Sequence, residues 1–213
     1  MKKIFSLLLT ITLLAGIVFV TTGCEKKAKK ANDNTVEISY KLGKGTFKVS
    51  VPKDSEGNPK YEFTTEKPKE LSTSATFYLV TDKTVFGFAT NGLVYNTSKA
   101  YKDKYGEKKA SFDGYLEFIE DKEIYNKAIY IPGFDDMKIN GRKAFRYYNR
   151  VGSSNNYKYY GYFYAIGVDD IYPGSKAQMT VNYKTDDKPT ESKEFDKETL
   201  DIIKSLKIEA NAE

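Results

Sequence analysis

Few side chains in this chain of 213 residues could do chemistry, because it holds no His and a single Cys, Cys24. Without imidazole, Ser-His-Asp and Cys-His catalysis and His-ligated metal sites are excluded. One thiol makes neither a disulfide nor a thiolate zinc site. Ser50-Val51-Pro52-Lys53 matches S-x-x-K, but it closes a strand-like run instead of opening a helix, and no K-T-G follows. Gly43-Lys44-Gly45 lacks the spacing and the Lys-Ser/Thr end of a phosphate loop. Asp135-Asp136 and Asp169-Asp170 offer the oxygen ligands calcium takes, yet neither stands in a D-x-D-x-D-G loop, and both read as turn acids. A carboxylate hydrolase needs two acids facing each other across a cleft, and the 29 acids here offer no pattern that selects a pair. The residues predict a protein that is not an enzyme and needs no cofactor and no metal.

Cys24 is explained by its neighbours. Lys2 and Lys3 precede Ile4 to Val20, apolar apart from Ser6, Thr10 and Thr12, and the run closes on Thr21-Thr22-Gly23-Cys24. A positive n-region, an apolar h-region and small residues at a cleavage point make a secretory signal. The layout resembles the bacterial lipoprotein signal, in which a peptidase cuts before a Cys whose sulfur carries diacylglycerol. Thr22-Gly23-Cys24 fits that lipobox, while Thr21 stands where Leu or Val is usual. An intact membrane helix is the other reading, since residues 4 to 20 reach the short end of the spanning range of roughly 17–25 residues. Two lysines before the run and four after it would then keep the following domain in the cytoplasm. The resemblance implies residues 1–23 as signal peptide, 24–35 as lipidated Cys and lysine-rich tether, and 36–213 as one domain on the extracytoplasmic face of the cell membrane.

Charge supports a membrane partner. The net charge of +5 falls to +3 without Lys2 and Lys3, and EKKAKKAND, residues 25 to 33, holds Lys26, Lys27, Lys29 and Lys30 against two acids. The domain beyond is left at +1, so positive charge gathers beside the bilayer. Each such lysine adds about 1 kcal/mol at an anionic surface, and the same composition also suits a solvated spacer. A near-neutral domain argues against nucleic acid.

The other candidate surface is YKYYGYFY, residues 157 to 164, in a chain with 18 Tyr and 13 Phe but no Trp. Strand alternation sends Tyr157, Tyr159 and Phe163 to one face and Tyr160, Tyr162 and Tyr164 to the other. Both faces are aromatic. Either layers cover both, or Tyr160, Tyr162 and Tyr164 form a platform for a surface protein or a wall glycan, with Gly161 allowing close approach and Arg146, Arg150 and Lys158 supplying charge.

These residues need a frame. Val36 to Leu42 and Thr46 to Val51 alternate around Gly43-Lys44-Gly45, predicting a hairpin. Tyr61 to Thr65 reads as a short strand, and Thr76 to Val80 pairs with Thr84 to Thr90, broken at Asn91-Gly92. A weak helix is expected over Ser98 to Tyr105, ending at Gly106. Ser111 to Lys122 carries Phe112, Tyr115, Leu116 and Ile119 on one stripe, with Ser111 as N-cap. Asn140-Gly141 predicts a type I′ hairpin. Lys143 to Val151 and Lys158 to Val168 are long strands around a loop at Gly152 to Asn156, and Ala177 to Tyr183 is expected as the last strand. FDKETLDIIKSLKI, from Phe195, is the clearest helix: Asp196 caps it, Phe195 and Leu200 form a staple, and Leu200, Ile203 and Leu206 line its buried face.

This order of elements, closing on an acidic helix with Ile203-Lys204-Ser205-Leu206 after Tyr-rich strands, resembles the PsbP-like families over Val36 to Ile208. The resemblance implies an α+β fold, an antiparallel sheet covered by helices as an α/β/α sandwich. It also implies an accessory that binds and stabilises larger assemblies. The reading is a lipid-anchored binding or assembly accessory protein; the alternative is a cell-wall glycan-binding module using the Tyr-rich strand, against which the lack of Trp counts.

Overall fold

Alternating side chains build the first hairpin. The computed structural model describes residues 34–69, 71, 74–93, 99–106, 110–120, 137–153, 156–184 and 196–212. In it β1 (Thr35–Leu42) and β2 (Gly45–Pro52) pair antiparallel in unbroken register from Leu42↔Gly45 to Thr35↔Pro52. Gly43 opens the two-residue turn with φ +55, a left-handed value that glycine adopts without cost. Phe47, Val49 and Val51 face inward from β2 and are buried.

Seven further strands form a second sheet: β3 (Glu62–Thr64), β4 (Phe77–Val80), β5 (Thr84–Gly92), β6 (Met137–Ile139), β7 (Arg142–Ser153), β8 (Asn156–Gly167) and β9 (Ser175–Lys184). Their order is β3-β4-β5-β9-β8-β7-β6, antiparallel throughout. Asn140 (φ 49) and Gly141 (φ 82) make the expected turn between β6 and β7, both carrying the positive φ that a type I′ hairpin requires. One expected break is absent and another is shorter than expected. Asn91 and Gly92 continue β5 opposite Lys176 and Ser175, and Gly152 and Ser153 continue β7 opposite Tyr157 and Asn156 past a bulge at Val151/Gly152. At both places ladder hydrogen bonds to a long neighbouring strand outweigh local turn preference.

Three helices are described: α1 (Lys99–Tyr105), α2 (Phe112–Glu120) and α3 (Lys197–Ser205). Gly106 ends α1 at φ +73, its N–H on the Lys102 carbonyl. Ser111 Oγ accepts from the Gly114 N–H at 3.1 Å, and Asp169 Oδ2, from the turn after β8, accepts from the Phe112 N–H at 2.7 Å. These bonds satisfy amides that the first turn of a helix leaves without partners. Phe112 and the stripe Tyr115, Leu116 and Ile119 pack on Phe145, Phe163 and Ala165, one face of the seven-stranded sheet.

The chain does not end in helix. Leu206 turns to φ −58, ψ 119, and β10 (Lys207–Ala210) pairs with β2, so Ala177 to Tyr183 is not the last strand. Ser205 Oγ accepts from the Ser50 N–H at 2.9 Å and bonds the Ile202 carbonyl at 2.7 Å, stitching the helix end to β2. Ile208, two residues after Leu206, is then buried by strand alternation. In α3 itself Thr199, Ile202 and Ile203 are buried, and Leu200 is only half-buried. The helix is thus turned slightly from the expected Leu200, Ile203, Leu206 face, although Leu206 is buried beyond its end. The staple partner Phe195 lies outside the described residues.

The fold is α+β and, among the described residues, mostly antiparallel strand, 51% against 17% helix, so sheet-on-sheet packing does much of the covering. Phe47, Val49 and Val51 of β2, Ile208 of β10, and Ile202 and Ile203 of α3 close over Phe77, Phe88, Met179, Val181 and Tyr164 on the face opposite α2.

Candidate functional site: the aromatic strand and a tyrosine–carboxylate cleft

β8 runs between β7 and β9 near the middle of the seven-stranded sheet. Tyr162 and Tyr164 are 7% and 1% exposed, inside the main core, and Phe163 at 9% lies under α2 on the other face. The expected platform is corrected here: with layers over both faces, these two tyrosines present no ring to a partner. Arg146 sets its guanidinium carbon 4.8 Å from the centre of the Tyr162 ring, a cation–π contact within the usual reach of about 6 Å. Gly161 does admit a close approach, by the backbone of β9. The side chains of Tyr160 and Arg150, and Cys24 with Lys26, Lys27, Lys29 and Lys30, lie outside the described residues.

A second cluster gathers where α3 begins. Asp196 is its N-cap, Oδ1 accepting from the Thr199 N–H at 2.8 Å, as Asp does at helix starts. Oδ2 accepts from the Tyr183 hydroxyl at 2.9 Å, and that hydroxyl also bonds Thr199 Oγ1. Two residues on, Glu198 accepts from Lys60 Nζ at 2.7 Å and from the Tyr61 hydroxyl at 3.1 Å. Lys60, Tyr61, Thr81, Lys83, Tyr183 and Asp196 line a cleft of about 270 Å³. Burial, then the Glu198 charge, pushes the Tyr61 hydroxyl far above its ordinary range. Burial pushes Tyr183 up to about 12, against the Thr199 hydroxyl and with help from Asp196. Burial would raise Asp196 too, but the Thr199 N–H and the Tyr183 and Thr199 hydroxyls outweigh it and hold the carboxyl below its usual range. Near neutral pH both phenols are therefore protonated donors and Asp196 is a charged acceptor, and the two hydroxyls are already paired inside the cluster, Tyr61 with Glu198 and Tyr183 with Asp196.

No protein-family model matches this chain, and no curated protein is detectably similar to it. Its reading rests on its own residues. Among those described, no group of three or more His, Cys, Asp or Glu is placed to hold a metal ion. Phe63 on β3 is 40% exposed, the exposed large apolar side chain among the described residues, with its ring 5.7 Å from that of Tyr40 on β1.

The sequence marks Asp196 as a cap and leaves Tyr61, Tyr183 and Glu198 unremarked, because they meet only through the pairing of β9 with β5 and the docking of α3. Asp196→Ala should cost about 1 kcal/mol, the usual worth of a cap, read as a lower urea midpoint. Because the folded carboxyl is held below its unfolded value of 3.8, its contribution is complete above that pH and is lost as pH falls through the lower folded value. The gap between variant and wild type should therefore close in acid.

Proposed function

We propose that this protein is a lipid-anchored, extracytoplasmic binding or assembly accessory, tethered through acylated Cys24, with Lys26, Lys27, Lys29 and Lys30 against the headgroups. The observation that carries the reading is the position of Cys24: an apolar run ends on it, a lysine-rich stretch follows, and the compact unit begins at Asn34, one residue before β1. That spacing leaves residues 25–33 between the acyl group and the start of the compact unit. Two acyl chains and a basic patch supply the two signals that stable anchoring requires.

The PsbP-like sandwich is part of the same proposal. It is supported by α2 and α3 on opposite faces of one antiparallel sheet, with the three-stranded sheet as an addition beside α3. Interiors such as these favour an accessory that offers its surface to a larger assembly over a glycan platform on β8, since Tyr162 and Tyr164 are committed to packing. The test is fractionation of cells expressing wild type or Cys24→Ala. Wild type should sediment with membranes and carry a diacylglyceryl mass on its N-terminal peptide, and the variant should lose both. A variant that keeps its membrane association overturns the anchor.

A further inference from the structure

The free edges of the two sheets are protected unequally. β3 and β6, at the ends of the large sheet, are three residues each, and short edge strands are a usual defence against unwanted pairing. β10 has the Arg142 guanidinium on its Ile208 carbonyl at 3.0 Å. β1 is eight residues long, has no bulge and no proline, and among the described residues is paired on one side only, with β2.

Its hydrogen-bonding parity shows what that edge offers. The two-residue turn makes Leu42 and Gly45 a bonded pair, so Leu42, Tyr40, Ile38 and Val36 turn their main-chain groups to β2, and the Asn34 carbonyl continues the series by accepting from the Lys53 N–H at 3.0 Å. Glu37, Ser39 and Lys41 must turn theirs outward, and no described residue pairs with them. The side chains of these three residues are exposed on one face of β1, while Val36, Ile38, Tyr40 and Leu42 are half-buried on the other. The edge carries a symmetric charge pattern, Glu37 and Lys41 equally spaced about Ser39.

We propose that β1 pairs antiparallel with β1 of a second copy of this chain about a two-fold axis at Ser39. That register sets Ser39 opposite Ser39, Glu37 opposite Lys41 and Lys41 opposite Glu37, and brings every outward N–H and C=O of these residues into a bonded pair. Opposite charges directly across an antiparallel pair attract and like charges repel. Registers centred on Glu37 or on Lys41 set like charges face to face, so the pattern selects the Ser39 centre as well as permitting it. Two three-stranded sheets would join as one of six strands.

Sedimentation velocity of the full chain in mild detergent, over a concentration series, should show a reversible dimer. Glu37→Lys places lysines opposite one another twice and should weaken dimerisation by about tenfold; Glu37→Lys/Lys41→Glu should restore it. Ser39→Pro removes an N–H that points away from β2, so it should keep the circular dichroism and thermal midpoint of wild type and be monomeric. In a Cys24→Ser background, Ser39→Cys should form a disulfide-linked dimer under mild oxidation in cells, since bonded antiparallel pairs sit about 5.5 Å apart between Cα atoms, within disulfide range. A monomer at every concentration, an association unmoved by Glu37→Lys, or a disulfide from the Ser39→Cys variant to a different protein would each overturn self-pairing.

Discussion

Gly161→Ala should unfold this domain far more readily than any surface change. A Cβ at Gly161 would lie 1.7 Å from the Val181 carbonyl oxygen, 2.7 Å from its carbon and 3.0 Å from Asn182 Cα. All three are main-chain atoms of β9, a strand paired on both sides by β5 and β8. No rotamer change relieves a clash with backbone, so the sheet must separate locally or β8 must shift, breaking ladder bonds to β7 or β9. Overpacking usually costs about 1–3 kcal/mol, and a contact this short with fixed atoms should reach or exceed about 3 kcal/mol. For a domain of this size that lowers the thermal midpoint on the order of 10 °C. Gly92→Ala is the control, since nothing lies within 4 Å of its added Cβ, and it should fall within about 0.5 kcal/mol of wild type. If both variants melt alike, the β8–β9 register is different from the one described.

The glycine also shows where sequence reading succeeds and where it stops. Residue type alone says that something approaches Gly161 closely; only the topology says that it is β9 and not a ligand. The hairpins, the caps at Ser111 and Asp196 and the α2 stripe were legible because each is decided within a dozen residues by alternation, turn chemistry or helical spacing. β10 was not, because Leu206 and Ile208 are apolar at positions that fit both the end of a helix and a short strand, and the choice is made by β2, more than 150 residues earlier in the chain. The cleft of Tyr61, Tyr183 and Glu198 failed for the same reason. The Tyr-rich strand was ambiguous in sequence because two aromatic faces describe a buried centre and a binding surface equally well; burial of Tyr162 and Tyr164 decides it for that stretch.

Lys176 was hidden by alternation itself. Lys176, Gln178, Thr180 and Asn182 occupy every second position of β9 and read as a solvent face, yet the last three are buried. Lys176 Nζ donates to the Tyr115 hydroxyl at 2.9 Å and stands 4.2 Å from the Tyr115 ring centre and 5.8 Å from that of Phe163. No carboxylate among the described residues forms an ion pair with it, and burial pushes the amine down to about 8. In the unfolded chain the same amine holds its proton up to about 10.5. Between these values the unfolded state binds more protons than the folded one, so stability should rise with pH across that window, and the burial penalty should be complete below about pH 8. Lys176→Met keeps the length and apolar contact of the side chain without the charge. At pH 7 it should be more stable than wild type by roughly 2 kcal/mol, a value reduced from the full shift because the group is only half-buried. By pH 10.5 most of that advantage should vanish. Urea unfolding of both proteins across this range cancels the other lysines and tyrosines in the difference. A difference that does not move with pH would mean that the amine is solvated, and that α2 does not seal this face of the sheet as closely as the Tyr115 contact requires.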